Sequence, residues 1–149
     1  MSPIGIALIV GFIVILVLCI MIDKKGNEKF RIMIEETYPL VETFGSFYVT
    51  NNGEILHELV SGTVLGYKKW NISDIAYIAT HRGQFSFLDK DKKAMRGEYL
   101  TPSKKKYLKE KAYTSFDIEM SQVNDFVAFL KKYGTHIQHM ESGKVVEDK

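Results

Sequence analysis

The side chains best suited to chemistry are four histidines, one cysteine and a run of lysines. His136 and His139 are three residues apart with Glu141 close behind, and on a helix this spacing puts both imidazoles on one face, as a metal site would need. Gly134 is expected to end the preceding helix before they are reached, and no cysteine accompanies them. We therefore interpret them as part of a polar tail and predict no metal site.

Catalytic groups do not occur in recognisable combinations in this sequence. His57 and His81 have no sequence partner that would complete a nucleophile and base system. Paired carboxylates, a nucleophile motif and a phosphate-binding loop are not found. Cys19 lies inside an apolar run, where a small apolar filler is the simplest interpretation. The sequence therefore favours a protein that is not an enzyme and needs no cofactor.

The most basic stretch is residues 104–111, where only Glu110 opposes the lysines. Close to an anionic leaflet, each basic side chain adds about 1 kcal/mol of attraction. A solvated loop that keeps the domain soluble is an equally good interpretation. We do not predict binding to nucleic acid, because the net charge is only +2 and few aromatic residues are interleaved. The candidate lipid-binding or partner-binding residues are Lys104, Lys105, Lys106, Lys109 and Lys111, together with Lys24 and Lys25.

The element that would hold these groups at a membrane is an apolar run, residues 3–22, without charge, Asn, Gln or His. Twenty helical residues span roughly 30 Å, the thickness of a bilayer's hydrocarbon core. Only Met1 and Ser2 precede the run, so it lacks the basic n-region of a signal peptide. Leu18 stands directly before Cys19, where a lipoprotein signal would have a small residue. The sequence thus predicts a transmembrane anchor over residues 1–22.

The flanks of the anchor predict its orientation. Four basic residues against two acidic ones follow it within nine positions, and such an excess favours the cytoplasm. We expect the N-terminus outside and the rest of the chain in the cytoplasm of a cell membrane. Within the span, Ala7 and Gly11 are four residues apart on one helix face, a spacing that permits close approach of a second helix.

Residues 23–44 are expected to form a juxtamembrane helix or linker, with helix to about Tyr38, because Pro39 disfavours helix there. This helix either turns its lysines to headgroups or packs on the domain as a stalk. From residue 45 the pattern changes to short strands with turn signals between them, at 47–50, 54–60, 63–67, 73–79, 84–89, 94–100 and 113–119. An apolar stripe over residues 123–133 predicts an amphipathic helix, and residues 136–149 are expected to be a polar tail.

This order of elements resembles the pleckstrin-homology-like (PH-like) fold, in the small membrane-anchored form common in bacteria. The resemblance covers residues 45–135 and is carried by residues 70–75 (WNISDI), 84–88 (QFSFL) and 115–119 (SFDIE), which lead into the helix. It implies an α+β domain with an antiparallel sheet or barrel of about six or seven strands, capped by a C-terminal helix. It also implies a binding or scaffolding platform. Phosphoinositide binding is not carried over, because the turn at residues 51–54 (NNGE) lacks the basic signature of members that bind these lipids.

Two functions follow as hypotheses. In the first, the anchored domain recruits a protein, a peptide or a lipid headgroup at the cytoplasmic face. In the second, the chain is a small accessory subunit of a larger membrane complex, and its transmembrane helix is the interface through Ala7 and Gly11.

Overall fold

One unbroken helix carries the chain from its N-terminus to the first strand. The computed structural model describes residues 2–61, 64–101 and 116–147, and in it α1 spans Pro3–Thr37, 35 residues. The Ser2 side chain accepts a hydrogen bond from the Gly5 N–H, which caps the first turn. The helix ends at Thr37, directly before Tyr38 and Pro39, as the position of the proline predicts. Its apolar part has a mean hydropathy of 3.3 and is not buried by the rest of the protein, so α1 is long and apolar enough to cross a membrane.

Ten short strands and a second helix, α2 at Val123–Tyr133, follow α1 in the described part of the chain. Sheet 1 has the order β1-β2-β3-β4-β7 and is antiparallel throughout. Its strands are β1 (Leu40–Phe44), β2 (Phe47–Thr50), β3 (Glu54–Ser61), β4 (Val64–Asn71) and β7 (Glu98–Leu100). Sheet 2 has the order β10-β9-β5-β6-β8. Its strands are β5 (Tyr77–His81), β6 (Gln84–Leu88), β8 (Phe116–Asp117), β9 (Gln138–Glu141) and β10 (Lys144–Val145).

An aromatic core fills the space between the inner face of sheet 1, sheet 2 and α2. Phe126 of α2 lies 4.8 Å, between ring centroids, from both Phe47 of sheet 1 and Phe85 of sheet 2. Trp70 packs edge-on against Phe87 at 5.0 Å. Tilted and edge-to-face pairs at these distances add to the gain from burial, so this cluster joins the three elements.

The outer face of sheet 1 is covered by the last turns of α1. Phe30 and Ile34 are 5% and 3% exposed, and they pack on Leu56, Leu65 and Tyr67. Fully burying a side chain of this size contributes about 1.5–3 kcal/mol. Of the two alternatives for the juxtamembrane segment, the structure therefore has the helix packed on the domain. The expected linker also contains β1, which pairs with β2.

The α+β layout agrees with the sequence-based prediction, but the two sheets of the described residues do not close into a barrel. Three expected strands are shorter than predicted. Residues 72–74 form a 3-10 turn (Ile72–Asp74), so the strand expected from residue 73 begins at Tyr77. Of residues 94–100, only β7 is a strand, and it pairs with β4. Of residues 113–119, β8 forms and pairs with β6, while residues 113–115 lie outside the described residues.

The prediction of a polar tail over residues 136–149 is wrong. Strand β9 pairs in parallel with β5, and β10 turns back on β9. Ile137, His139 and Met140 are 2%, 6% and 6% exposed. The part of this segment that forms β9 and the residues before it have only Ile137 and Met140 as apolar signals, and α2 lies in the crossover connection that a parallel pair requires. Such a pairing with a strand some sixty residues earlier leaves no local pattern in the sequence.

Replacement of Ile34 by alanine tests the packing of α1 on sheet 1. Ile34→Ala removes a buried side chain and should cost about 2–5 kcal/mol of unfolding free energy. The matched variant Ile32→Ala changes a side chain that is 49% exposed on the same helix and should stay within about 0.5 kcal/mol of the parent. Denaturant unfolding in detergent, followed by the fluorescence of the single, buried Trp70, measures both. Equal effects of the two variants would contradict the docked arrangement.

Candidate functional site

The part of α1 beyond the apolar run, residues 23–37, is called the stalk here, and it is bonded to sheet 1 as well as packed on it. The Asn27 side-chain oxygen accepts a hydrogen bond from the Leu65 N–H at 3.1 Å. The Arg31 guanidinium donates to a Glu58 carboxylate oxygen at 3.2 Å, and the Tyr48 hydroxyl donates to the other oxygen at 2.6 Å. Burial, and then the neighbouring Glu58 carboxylate, raise the pKa of Tyr48, which therefore stays a donor at physiological pH.

Contacts along the stalk show which end of sheet 1 lies nearest to the apolar run. Asn27 bonds to Leu65, Phe30 packs on Tyr67 with ring centroids 5.8 Å apart, and the ammonium of Lys69 lies 5.1 Å from the Tyr38 ring. The residue numbers rise together on α1 and β4, so the strand runs alongside the helix in the same direction. The end of sheet 1 where Leu65 pairs with Val60 is thus closest to the apolar run, and we call it the membrane-proximal end.

The predicted basic residues stand in two different relations to this end. Lys24 and Lys25 are exposed on the stalk, less than one turn before Asn27. Lys104, Lys105, Lys106, Lys109 and Lys111 lie outside the described residues. The nearest described strand residues on either side of this segment are Leu100 in β7 and Phe116 in β8. Leu100 pairs with Tyr67, so β7 runs toward the membrane-proximal end, and Phe116 packs against His57.

Ala7 and Gly11 lie on a different face of α1 from the residues that pack on sheet 1. At about 100° per residue, they are separated from Phe30 and Ile34 by about 100° to 180° around the helix axis. A side-chain carbon built on Gly11 would meet no atom within 4 Å. A second helix therefore has access to this face without meeting the domain.

The inner face of sheet 1 holds two basic side chains that the sequence analysis did not bring together. The His57 ring stacks on Phe47 at 4.2 Å, and its Nδ1 atom is buried and has no hydrogen-bond partner among the described residues. Lys68, in register with His57 on β4, is 2% exposed, and its ammonium lies 5.7 Å from the Phe116 ring. Burial and then the Lys68 charge lower the pKa of His57 to about 4. The imidazole is therefore neutral and part of the core at physiological pH.

The C-terminal histidines are bound within the fold. The His139 Nε2 atom and the Thr80 hydroxyl share a buried hydrogen bond of 2.8 Å between β9 and β5. The His136 Nε2 atom lies 2.9 Å from the backbone oxygen of Ile75. Among the residues that the structure describes, no group of three His, Cys, Asp or Glu side chains is arranged to hold a metal ion. His139 thereby bonds β9 to β5, and His136 bonds the segment before β9 to the segment before β5.

A histidine that is neutral in the folded state makes stability depend on pH. The folded pKa of about 4 lies below the usual value near 6.5, so the unfolded chain binds the proton first as the pH falls. The stability from this group is complete above about pH 6.5 and is lost toward about pH 4. The full shift corresponds to about 3 kcal/mol, and partial exposure of the ring reduces this to about 2 kcal/mol.

We predict that His57→Phe, which keeps the stacking on Phe47, reduces the loss of unfolding free energy between about pH 6.5 and pH 4 by about 2 kcal/mol. Unfolding free energies of parent and variant across this pH range measure the difference. The other histidines are present in both proteins, so their contributions to the pH dependence of stability cancel in the difference. Parallel profiles would contradict the assignment.

A scan against protein-family models, a search of curated proteins and a search of solved structures all give no match. The resemblance to PH-like domains therefore rests on the order of elements in the sequence. Function has to be argued from the geometry of α1, sheet 1 and sheet 2.

Proposed function

We propose that this protein is a single-pass membrane protein that presents a PH-like binding domain at the cytoplasmic face, where it recruits a protein, a peptide or a lipid headgroup. The observation that carries the proposal is the continuity of α1, which runs without a break from the apolar run onto sheet 1. The basic flank of the apolar run supports the cytoplasmic orientation.

A docked stalk favours a platform over a tethered, freely tumbling domain. Side chains at three levels of the stalk, Asn27, Arg31 and Ile34, contact sheet 1, so the helix and the domain move as one body. The membrane then sets the orientation of the domain. A partner approaching from the cytoplasm meets a fixed set of surfaces, chiefly the outer face of sheet 2 and the exposed side of α2.

The outer face of sheet 2 offers a surface that suits a protein or peptide partner. A shallow groove of about 350 Å³ lies across β5, β6 and the turn after β9. Small and polar side chains line it, among them Ala79, Ser86 and Ser142, and Gly143 lets the backbone of a partner approach. The backbone of most interfaces moves little on binding, so a groove that is already formed is a suitable docking surface, and we propose that the partner binds in this groove.

The alternative function, an accessory subunit of a larger membrane complex, is supported by a different observation. The face of α1 with Ala7 and Gly11 differs from the face that packs on the domain, and Gly11 borders open space. Small residues allow helices to approach closely within the bilayer. Under this alternative, the partner packs on the span and the domain is a support.

Affinity capture from detergent-solubilised membranes distinguishes the two functions. One variant replaces residues 3–22 by an unrelated apolar sequence of equal length, and a second, Ser86→Arg, puts a large charged side chain into the groove of sheet 2. The matched control is Ser73→Arg on the exposed 3-10 turn. If the domain is a platform, a specific partner should be retained by the protein with the foreign span and by Ser73→Arg. Its capture should fall at least tenfold with Ser86→Arg, because a loss of about 1.4 kcal/mol of binding free energy already lowers the affinity tenfold.

Loss of the partner with the foreign span alone would establish the alternative instead. Capture of no specific partner by any of the four proteins would contradict the alternative function and the recruitment of a protein or peptide. The fluorescence of buried Trp70 would show before capture whether Ser86→Arg is folded.

A further inference from the structure

The distance between the end of the apolar run and the domain is short. The run ends at Ile22, and Asn27, five residues later, bonds to the backbone of Leu65. Five helical residues rise about 7.5 Å. Helical side chains lean toward the N-terminus of the helix, so the Asn27 oxygen lies nearer to the apolar run than its own backbone does. The membrane-proximal end of sheet 1 therefore begins within about 7 Å of the hydrocarbon boundary.

This distance matches the thickness of the polar layer of a bilayer. A hydrocarbon core of about 30 Å within a total of about 40–45 Å leaves roughly 5–7.5 Å for the headgroups of each leaflet. A typical helix tilt of about 20° changes the height of an element packed on the stalk by only a few ångströms. The strand ends at Val60 and Leu65 consequently reach the headgroup layer.

Val60 is an apolar side chain left uncovered at this level. It points to the same side of β3 as Leu56, and it pairs with Leu65 on the neighbouring strand β4. Leu56 and Leu65 are 0% and 2% exposed beneath the stalk, whereas Val60 is 67% exposed. The stalk thus covers Leu65 on β4, whereas its cross-strand partner Val60, at the same level on β3, is open.

The stalk beside this strand end borders an open groove of about 520 Å³. The groove extends from Ile20, inside the apolar run, to Arg31 on the stalk. Its other lining residues are Asp23, Lys24, Asn27 and Glu28. Two basic and two acidic side chains along one apolar-to-polar gradient suit a phospholipid, with its acyl chain at Ile20 and its phosphate at Lys24.

We infer that the membrane-proximal end of sheet 1 is seated in the headgroup layer of the same bilayer that α1 crosses. Val60 contacts the upper acyl and glycerol region, and phospholipid headgroups fill the groove along the stalk. The inference rests on the proposed transmembrane role of α1 and adds a second membrane contact, made by the domain itself. The stalk and this contact together would fix both the height and the rotation of the domain.

Depth-dependent fluorescence quenching tests this seating on the full chain. In a Cys19→Ala background, single cysteines at Val60, Asn52 and Leu16 carry an environment-sensitive fluorophore, and the proteins are reconstituted into vesicles of phosphatidylcholine and phosphatidylglycerol. Asn52 is exposed in the turn at the opposite end of β3, more than roughly 20 Å from Val60 at 3.3 Å per residue. Leu16 reports insertion of the span.

We expect headgroup-labelled nitroxide lipid to quench the Val60 probe several-fold more strongly than the Asn52 probe, and mid-chain nitroxide lipid to quench the Leu16 probe. Equal, weak quenching at Val60 and Asn52 together with strong quenching at Leu16 would overturn the seating and leave the anchor intact. Absence of quenching at Leu16 would instead remove the transmembrane anchor, and with it the proposed function. The Val60 site is exposed, so the label leaves the core undisturbed.

Discussion

The packing of the stalk on the outer face of sheet 1 is the interaction on which the rest of this structure depends. It makes sheet 1 a central layer, with α1 on one side and the aromatic core on the other. Neighbouring residues of β3 are therefore both buried, Ile55 toward the core and Leu56 toward the helix, each 0% exposed. Without α1, Leu56, Leu65 and Tyr67 would form an exposed apolar patch, which soluble domains avoid. The domain and α1 are in this sense a single folding unit, and an isolated domain without the stalk would lack part of its core.

The same packing sets what the domain can present. Because α1 occupies one face of sheet 1 and points its membrane-proximal end at the bilayer, the outer face of sheet 2 and the exposed side of α2 are turned to the cytoplasm under the proposed topology. The polar bonds made by Asn27 and Arg31 fix the register of helix and sheet, and the burial of Phe30 and Ile34 stabilises the contact by removing apolar surface from water. An interaction at sheet 2 would thereby be held at a constant height above the membrane, as a recruiting platform requires.

Sequence reasoning predicted the elements whose signals are local. The apolar run, the end of α1 before Pro39 and helix α2 follow from composition, a proline and a 3.6-residue period, and they agree with the structure. The parallel pairing of β9 with β5 was missed because it depends on residues far apart in the chain. The burial of Lys68 beside His57 was missed for a similar reason. Strand β4 places the lysine toward the core, where its long aliphatic stem packs. In the sequence it is only one charged residue between Tyr67 and Lys69. A stalk that packs on the domain and one that faces headgroups share the same amphipathic pattern, so only the structure distinguishes them.

Hydrogen exchange of the full chain in lipid nanodiscs, resolved by mass spectrometry, measures the central feature most directly. If the stalk is docked, the amides of residues 27–37 are protected by the helix and by burial, and they exchange as slowly as those of β3 and β4, which unfold with them. The Leu65 amide, bonded to Asn27, belongs to this slow set. Rapid exchange over residues 27–37 beside a protected sheet 1 would show a free linker in place of the stalk and would contradict the account.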